Sequence, residues 1–74
     1  MLPKLPRLSG EEACRILERH GFSKVRQRGS HVIMQRRTEN STITVPVPNH
    51  KELRLGTLRS IIRQSLLPVS AFGA

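Results

Sequence analysis

Aspartate is missing from this 74-residue chain, and its five acidic residues are all glutamate. Metal-dependent phosphodiester chemistry gathers several carboxylates around Mg²⁺ or Mn²⁺ to orient water and neutralise charge. Here Glu11 and Glu12 fall in one helix cap, Glu18 lies near that helix's end, Glu39 sits in a turn, and only Glu52 is near a basic loop. A two-metal site is not expected. Cysteine is scarcer still: Cys14 stands alone, which excludes an internal disulfide and a thiolate metal cluster and suits a reducing cytoplasm. His20, His31 and His50 are far apart and have no cysteine pair beside them, so they form no zinc pattern. No apolar run approaches the length of a bilayer span, and the opening MLPKLPRLSG has cations but lacks the apolar stretch of a signal peptide. The expectation is a cytoplasmic protein without metal, cofactor or membrane association.

What the chain has in excess is positive charge. Thirteen Lys and Arg against five Glu give a formal net charge of +8, and ten of the thirteen are Arg. On so small a body this makes a potential of several kT that concentrates phosphate polymers. Guanidinium adds a planar fork of donors that matches phosphate oxygens and stacks on bases, which favours nucleic acid. The bland counterpart is a basic surface facing an acidic protein. The length allows one compact domain, of modest stability, that a partner could raise.

Pro3 and Pro6 between cations mark residues 1–8 as an extended basic arm. Ser9 and Glu12 have capping-box spacing. Ala13, Ile16, Leu17 and Cys14 follow at helical spacing, Gly21 is placed to end the helix in the left-handed region, and Phe22 would fold back on Leu17. Three short strands are then expected: Lys24 to Arg28, with Lys24, Arg26 and Arg28 on one face; His31 to Arg36 after a Gly29-Ser30 turn; and Thr42 to Val47 after a turn near Thr38 to Ser41. Ile43, Val45 and Val47 share a face in the third, and Pro46 marks it as ending or as a sheet edge. In the run Val32-Ile33-Met34 periodicity does not say which side chains point inward, so the facing of His31 stays open. Leu55, Leu58, Ile61, Ile62 and Leu66 predict a second amphipathic helix stopped by Pro68, with frayed residues after it. The fold class expected is α+β: a small α-β-β-β-α domain over 9–67 with two helices on one face of a three-stranded antiparallel sheet, and a tail over 68–74.

With metal sites set aside, the chemistry left is RNA cleavage in which a histidine takes the ribose 2′-OH proton while cations stabilise the crowded phosphate. His31 follows the Gly29-Ser30 turn and is close in sequence to Arg26 and Arg28, so base and anion-stabilising groups could converge there. A structural histidine closing the hairpin is the other reading, and the residues alone leave both standing. His20 at a helix C-terminus reads as structural. His50 beside Lys51 reads equally as a phosphate contact or as solvated. Cys14 reads as core. Ser30 is no dyad partner of His31, because adjacent strand residues point to opposite faces, so it shapes the turn or touches substrate. The amides at the start of the second helix, beside Thr57 and behind Lys51 and Arg54, form either a phosphate site or an ordinary helix start.

Gly29-Ser-His31 after Val25-Arg-Gln-Arg28, then Val45-Pro-Val-Pro48, Lys51-Glu-Leu53 and Gly56-Thr-Leu-Arg-Ser-Ile61, in that order and spacing, resemble the HicA family of toxin-antitoxin systems over about Ser9 to Leu67. The resemblance implies a double-stranded-RNA-binding-domain-like fold, ribonuclease action on messenger RNA, and a HicB-like antitoxin that covers the active site. It puts the catalytic histidine on His31; the residues themselves make Lys24, Arg26, Arg28, Gly29, Ser30, Lys51, Arg54 and Thr57 the expected RNA contacts. A non-catalytic RNA-binding module is the alternative. Beyond Leu67 the chain runs LPVSAFGA, where members often carry an acidic segment and a further short helix.

Overall fold

The structure is a computed structural model that describes residues 5–73. Helix α1 spans Gly10–Arg19, strands β1, β2 and β3 span Ser23–Arg28, His31–Arg37 and Thr42–Pro48, and helix α2 spans Leu55–Ser65; a 3-10 turn follows at Val69–Phe72. The strands form one antiparallel sheet in the order β1-β2-β3. The α-β-β-β-α order and open three-stranded sheet agree with the sequence reading.

Both ends of α1 form as the residues dictate. The Ser9 hydroxyl accepts the Glu12 amide at 3.0 Å, and the Glu12 carboxylate accepts the Ser9 amide at 2.9 Å, which closes the capping box. Those bonds to the charged form hold the Glu12 carboxyl below its ordinary value. At the far end Gly21 takes φ 91°, its N–H donating to the Glu18 carbonyl at 3.1 Å and that of Phe22 to Leu17 at 3.0 Å. This is the Schellman arrangement, and it folds buried Phe22 back over buried Leu17.

The sheet's inner face is set by register. Val32 pairs with Val47 and Met34 with Val45, and these join Ala13, Leu17, Phe22, Leu53, Leu58, Ile61, Ile62 and Phe72 in the core. Met34 therefore points inward and His31 and Ile33 outward, which resolves the facing of β2. Pro46 does not end β3, which continues to Pro48, but β3 is a sheet edge, where a residue without N–H is tolerated.

Three expectations are corrected. Lys24 does not share a face with Arg26 and Arg28, because a β-bulge between Lys24 and Arg26 shifts the register. Lys24 pairs with Met34 and Arg26 with Ile33, and Met34 and Ile33 point to opposite sides, so Lys24 faces the α1 side with Gln27, to which it donates at 3.3 Å. Leu55 and Leu66, placed on the apolar stripe of α2, are 50% and 73% exposed. The residues after Pro68 are not frayed: Phe72 is buried at 1%, and this apolar anchor holds the 3-10 turn against the core. The expected arm over 1–8 falls partly outside the described residues; from Leu5 on it has no regular structure, and Leu5 and Leu8 pack on the core.

α2 ends before Pro68 does any work, because Leu66 adopts φ 61°. The Ser65 hydroxyl, fully buried, donates to the Ile62 carbonyl at 2.7 Å and accepts the Leu67 amide at 3.1 Å, fixing the reversal. A branched residue in the left-handed region is strained, and this one recovers little by burial. Leu66→Gly is expected to raise stability by about 0.5–1 kcal/mol in urea unfolding; unchanged or lower stability would show that Leu66 makes compensating contacts.

Candidate active site

His31 opens β2 directly after a two-residue turn. Gly29 has φ 57° and Ser30 does not share the positive φ, the pattern of a type II′ hairpin turn with glycine at its first central position. The turn places Arg28 opposite His31 as a register pair, and Arg26 opposite Ile33. Directly opposed residues of an antiparallel pair project to the same side. The outer face thus carries Arg26, Arg28, His31, Ile33 and Gln35 from β1 and β2, with Thr44, Pro46 and Pro48 from β3.

His31 is exposed, and Ile33 beside it is buried at 8% although it lies outside the core cluster. Ile33 is flanked on its face by Arg26, Pro46, His31 and Gln35, so with Pro46 it forms an apolar floor bordered by polar side chains. Gln35 donates to the Thr44 hydroxyl across the strands at 3.2 Å.

α2 packs mainly on β3. Its Leu58, Ile61 and Ile62 enter the core, while its Thr57, Ser60 and Gln64 flank meets the outer side of β3. Between them lies an open cleft of about 280 Å³ lined by His31, Pro46, Pro48, Thr57, Ser60 and Gln64, with Ile61 behind. Thr57 and His31, far apart in sequence, are therefore brought together. The sequence reading does not name Ser60, Gln64, Pro46 and Pro48 as site residues; the signal is a polar stripe at Thr57, Ser60 and Gln64, spaced by three and four beside the apolar stripe of α2.

The remaining expected residues divide. Asn49 donates to the Ser30 carbonyl at 2.6 Å, tying the loop after β3 to the hairpin tip. Lys51 lines a neighbouring cleft with Ser9, Glu11, Asn49 and His50 rather than the His31 cleft. Arg54 is the N-cap residue of α2 and makes no side-chain cap bond, so Thr57 is the third residue of the helix and not its cap. Lys24 lines a groove between α1 and the sheet with Glu11, Cys14 and Glu18, away from His31. There burial, with Glu18 adding to it, pushes the Cys14 thiol up, so it stays a neutral, weakly nucleophilic group. His20 serves its helix, its Nδ1 bonding the Ile16 carbonyl at 2.9 Å. Among the described residues no three His, Cys, Asp or Glu side chains converge as metal ligands, and no helix is long and apolar enough to cross a membrane.

Residues 10–67 match the family described as the HicA toxin of bacterial toxin-antitoxin systems. The chain belongs to the HicA toxin family. The match runs from the first residue of α1 to just past α2, so it contains the hairpin, the His31 cleft and the loop carrying Lys51 and Arg54. No curated protein matches the chain closely enough to count as a relative. As a HicA toxin it is one half of a toxin-antitoxin pair, and its partner is of the antitoxin kind.

The geometry of this site hangs on the hairpin turn. A Cβ at Gly29 would meet nothing within 4 Å, so only its positive φ resists substitution. Gly29→Ala is expected to cost about 1 kcal/mol in urea unfolding, and Gly29→Asn less. Equal costs for the two would show that backbone conformation is not what selects glycine here.

Proposed function

We propose that this toxin is an endoribonuclease that cleaves messenger RNA, with His31 as its general base and residues 9–67 as the functional domain. The observation that carries the reading is the pairing of exposed His31 with Arg28 across the hairpin, at the mouth of a cleft, in a chain of this family. The His31 imidazole takes the proton of a ribose 2′-OH. The 2′-oxygen attacks the adjacent phosphorus, the bond from phosphorus to the 5′-oxygen breaks, and that oxygen takes a proton from water. A 2′,3′-cyclic phosphate and a 5′-hydroxyl result, and His31 returns its proton to solvent. Arg28, with Arg26 behind it, offsets the charge that builds on the phosphate oxygens.

Gly29 and Ser30 bring backbone close to the same phosphate, Thr57 lines the cleft, and Lys51 and Arg54, from the loop between β3 and α2, add further cations for the strand. Lys24, turned to the α1 side by the bulge, is left out of this track. A HicB-like antitoxin that covers the outer face would block His31 and neutralise the same arginines. A second reading, RNA binding without cleavage, draws on one observation: among the described residues His31 is the only titratable side chain lining its cleft.

His31→Ala separates the two. Loss of a general base lowers rates by about 100-fold to 10,000-fold, so the variant is expected to fold, bind RNA and fail to cut it in a gel assay. Cleavage at the wild-type rate would remove His31 from the chemistry, and a wild type that binds without cutting would leave the binding module. Binding by Arg26, Arg28, Lys51 and Arg54 to about four phosphates of a single strand gives a slope of log affinity against log salt near −2.8. A flat salt response would show that phosphate contacts do not drive association.

A further inference from the structure

Single-stranded RNA is held mostly by aromatic side chains on which unpaired bases stack. This chain has no tryptophan or tyrosine. Both phenylalanines are core residues, Phe22 at 3% and Phe72 at 1% exposure. A base arriving beside His31 therefore finds no phenylalanine, tyrosine or tryptophan to stack on, and besides the guanidiniums of Arg26 and Arg28 it needs an apolar surface.

The cleft supplies it. Pro46 is exposed and Pro48 half-buried on the outer side of β3, and their pyrrolidine rings give a rigid apolar surface for a base's face. Opposite stand Thr57, Ser60 and Gln64 of α2, and the volume of about 280 Å³ suits one nucleoside. An apolar wall facing a few convergent polar groups is the usual build of a small-molecule site. Gln64 is exposed and makes no side-chain hydrogen bond among the described residues, so its carboxamide can offer one donor and one acceptor side by side. Hydrogen-bonding groups of this kind on a base edge carry discrimination that phosphate contacts cannot.

We infer that this cleft holds the unstacked base of the nucleotide whose 2′-oxygen faces His31, and that Gln64 reads that base's hydrogen-bonding edge. The inference rests on the ribonuclease reading for its choice of nucleotide, not for the existence of the site. Pro46 and Pro48 support one face of the base in place of aromatics, and Gln64 sets where the chain is cut.

Two measurements test it. In the first, wild type, Gln64→Ala and Gln64→Glu cut an unstructured RNA of mixed sequence and the cut sites are mapped. Wild type is expected to favour certain bases on the 5′ side of the cut, and Gln64→Ala to flatten that preference by about tenfold. Gln64→Glu is expected to move it toward guanine, whose N1–H and N2–H both donate to a carboxylate. The same profile from all three proteins would overturn the inference while leaving the ribonuclease reading intact. In the second, the His31→Ala protein is titrated with adenosine, cytidine, guanosine and uridine 3′-monophosphates and followed by amide chemical shifts. Shifts centred on Thr57, Ser60 and Gln64 support the site even if the wild type cuts nothing, which would sink the ribonuclease reading alone. Shifts confined to Arg26 and Arg28 would mean phosphate contact without a base site, and would overturn the inference.

Discussion

The site depends on one close backbone approach, between the start of α1 and the end of β3. A Cβ on Gly10 would collide with the Pro48 carbonyl oxygen, so only glycine lets the helix come this near. The Gly10 N–H donates to the His50 carbonyl at 2.8 Å, and the Leu53 N–H to the Leu8 carbonyl at 2.7 Å. These bonds satisfy backbone groups that a buried loop would otherwise leave unpaired. They also fix Pro48, the register partner of His31, and Asn49, which holds the Ser30 carbonyl. The imidazole thus stands on a strand end braced from both sides by main chain, which gives its position less freedom than side-chain packing alone would.

The bulge at Val25 divides the charge. Without it, Lys24, Arg26 and Arg28 would form one basic row, because strand side chains alternate with a period of two. With it, the two arginines nearest His31 face outward and the lysine turns toward Glu11 and Glu18 beneath α1. Bulges often re-aim side chains next to functional sites. Here the residue selection matters as well, since the two guanidiniums can grip phosphate oxygens in pairs and the ammonium, a point charge, is the one removed.

Local chemistry was legible in the sequence wherever one residue type answers one backbone need. Ser9 with Glu12, Gly21 before Phe22, and Gly29-Ser30 between β-branched runs each named their own geometry, and the order of elements followed from them. Alternation in β3 announced its inner face through Ile43, Val45 and Val47. Three things were not legible, each for a physical reason. A bulge adds a residue without altering composition, so nothing in Lys24-Val25-Arg26 announces it. The left-handed turn at Leu66 is held by local bonds of the Ser65 hydroxyl to Ile62 and Leu67, which an ordinary serine in a helix does not announce, and by the docking of Phe72, a tertiary fact. The cleft joins residues of β2, β3 and α2 whose neighbourhood exists only after α2 has packed along the β3 edge, so His31 stood out from its motif while Gln64 did not.

Charge links the fold to whatever covers it. Among the described residues there is one ion pair, Arg15 with Glu11, and both partners are well exposed, where such a pair contributes little. A formal charge of +8 is therefore left almost unrelieved within the chain, and self-repulsion works against a small compact state. An unpartnered Arg36 Nε, buried where the guanidinium lies 5.6 Å over the Phe22 ring, adds a further cost that a small core must carry. Any anionic ligand that binds the folded form alone stabilises it by mass action, to a degree set by its concentration relative to its dissociation constant. Under the proposed function, an RNA strand and an acidic antitoxin surface would both meet that condition on the outer face. Because the two would neutralise the same guanidiniums, binding of one must weaken binding of the other, with no change of fold needed to couple them.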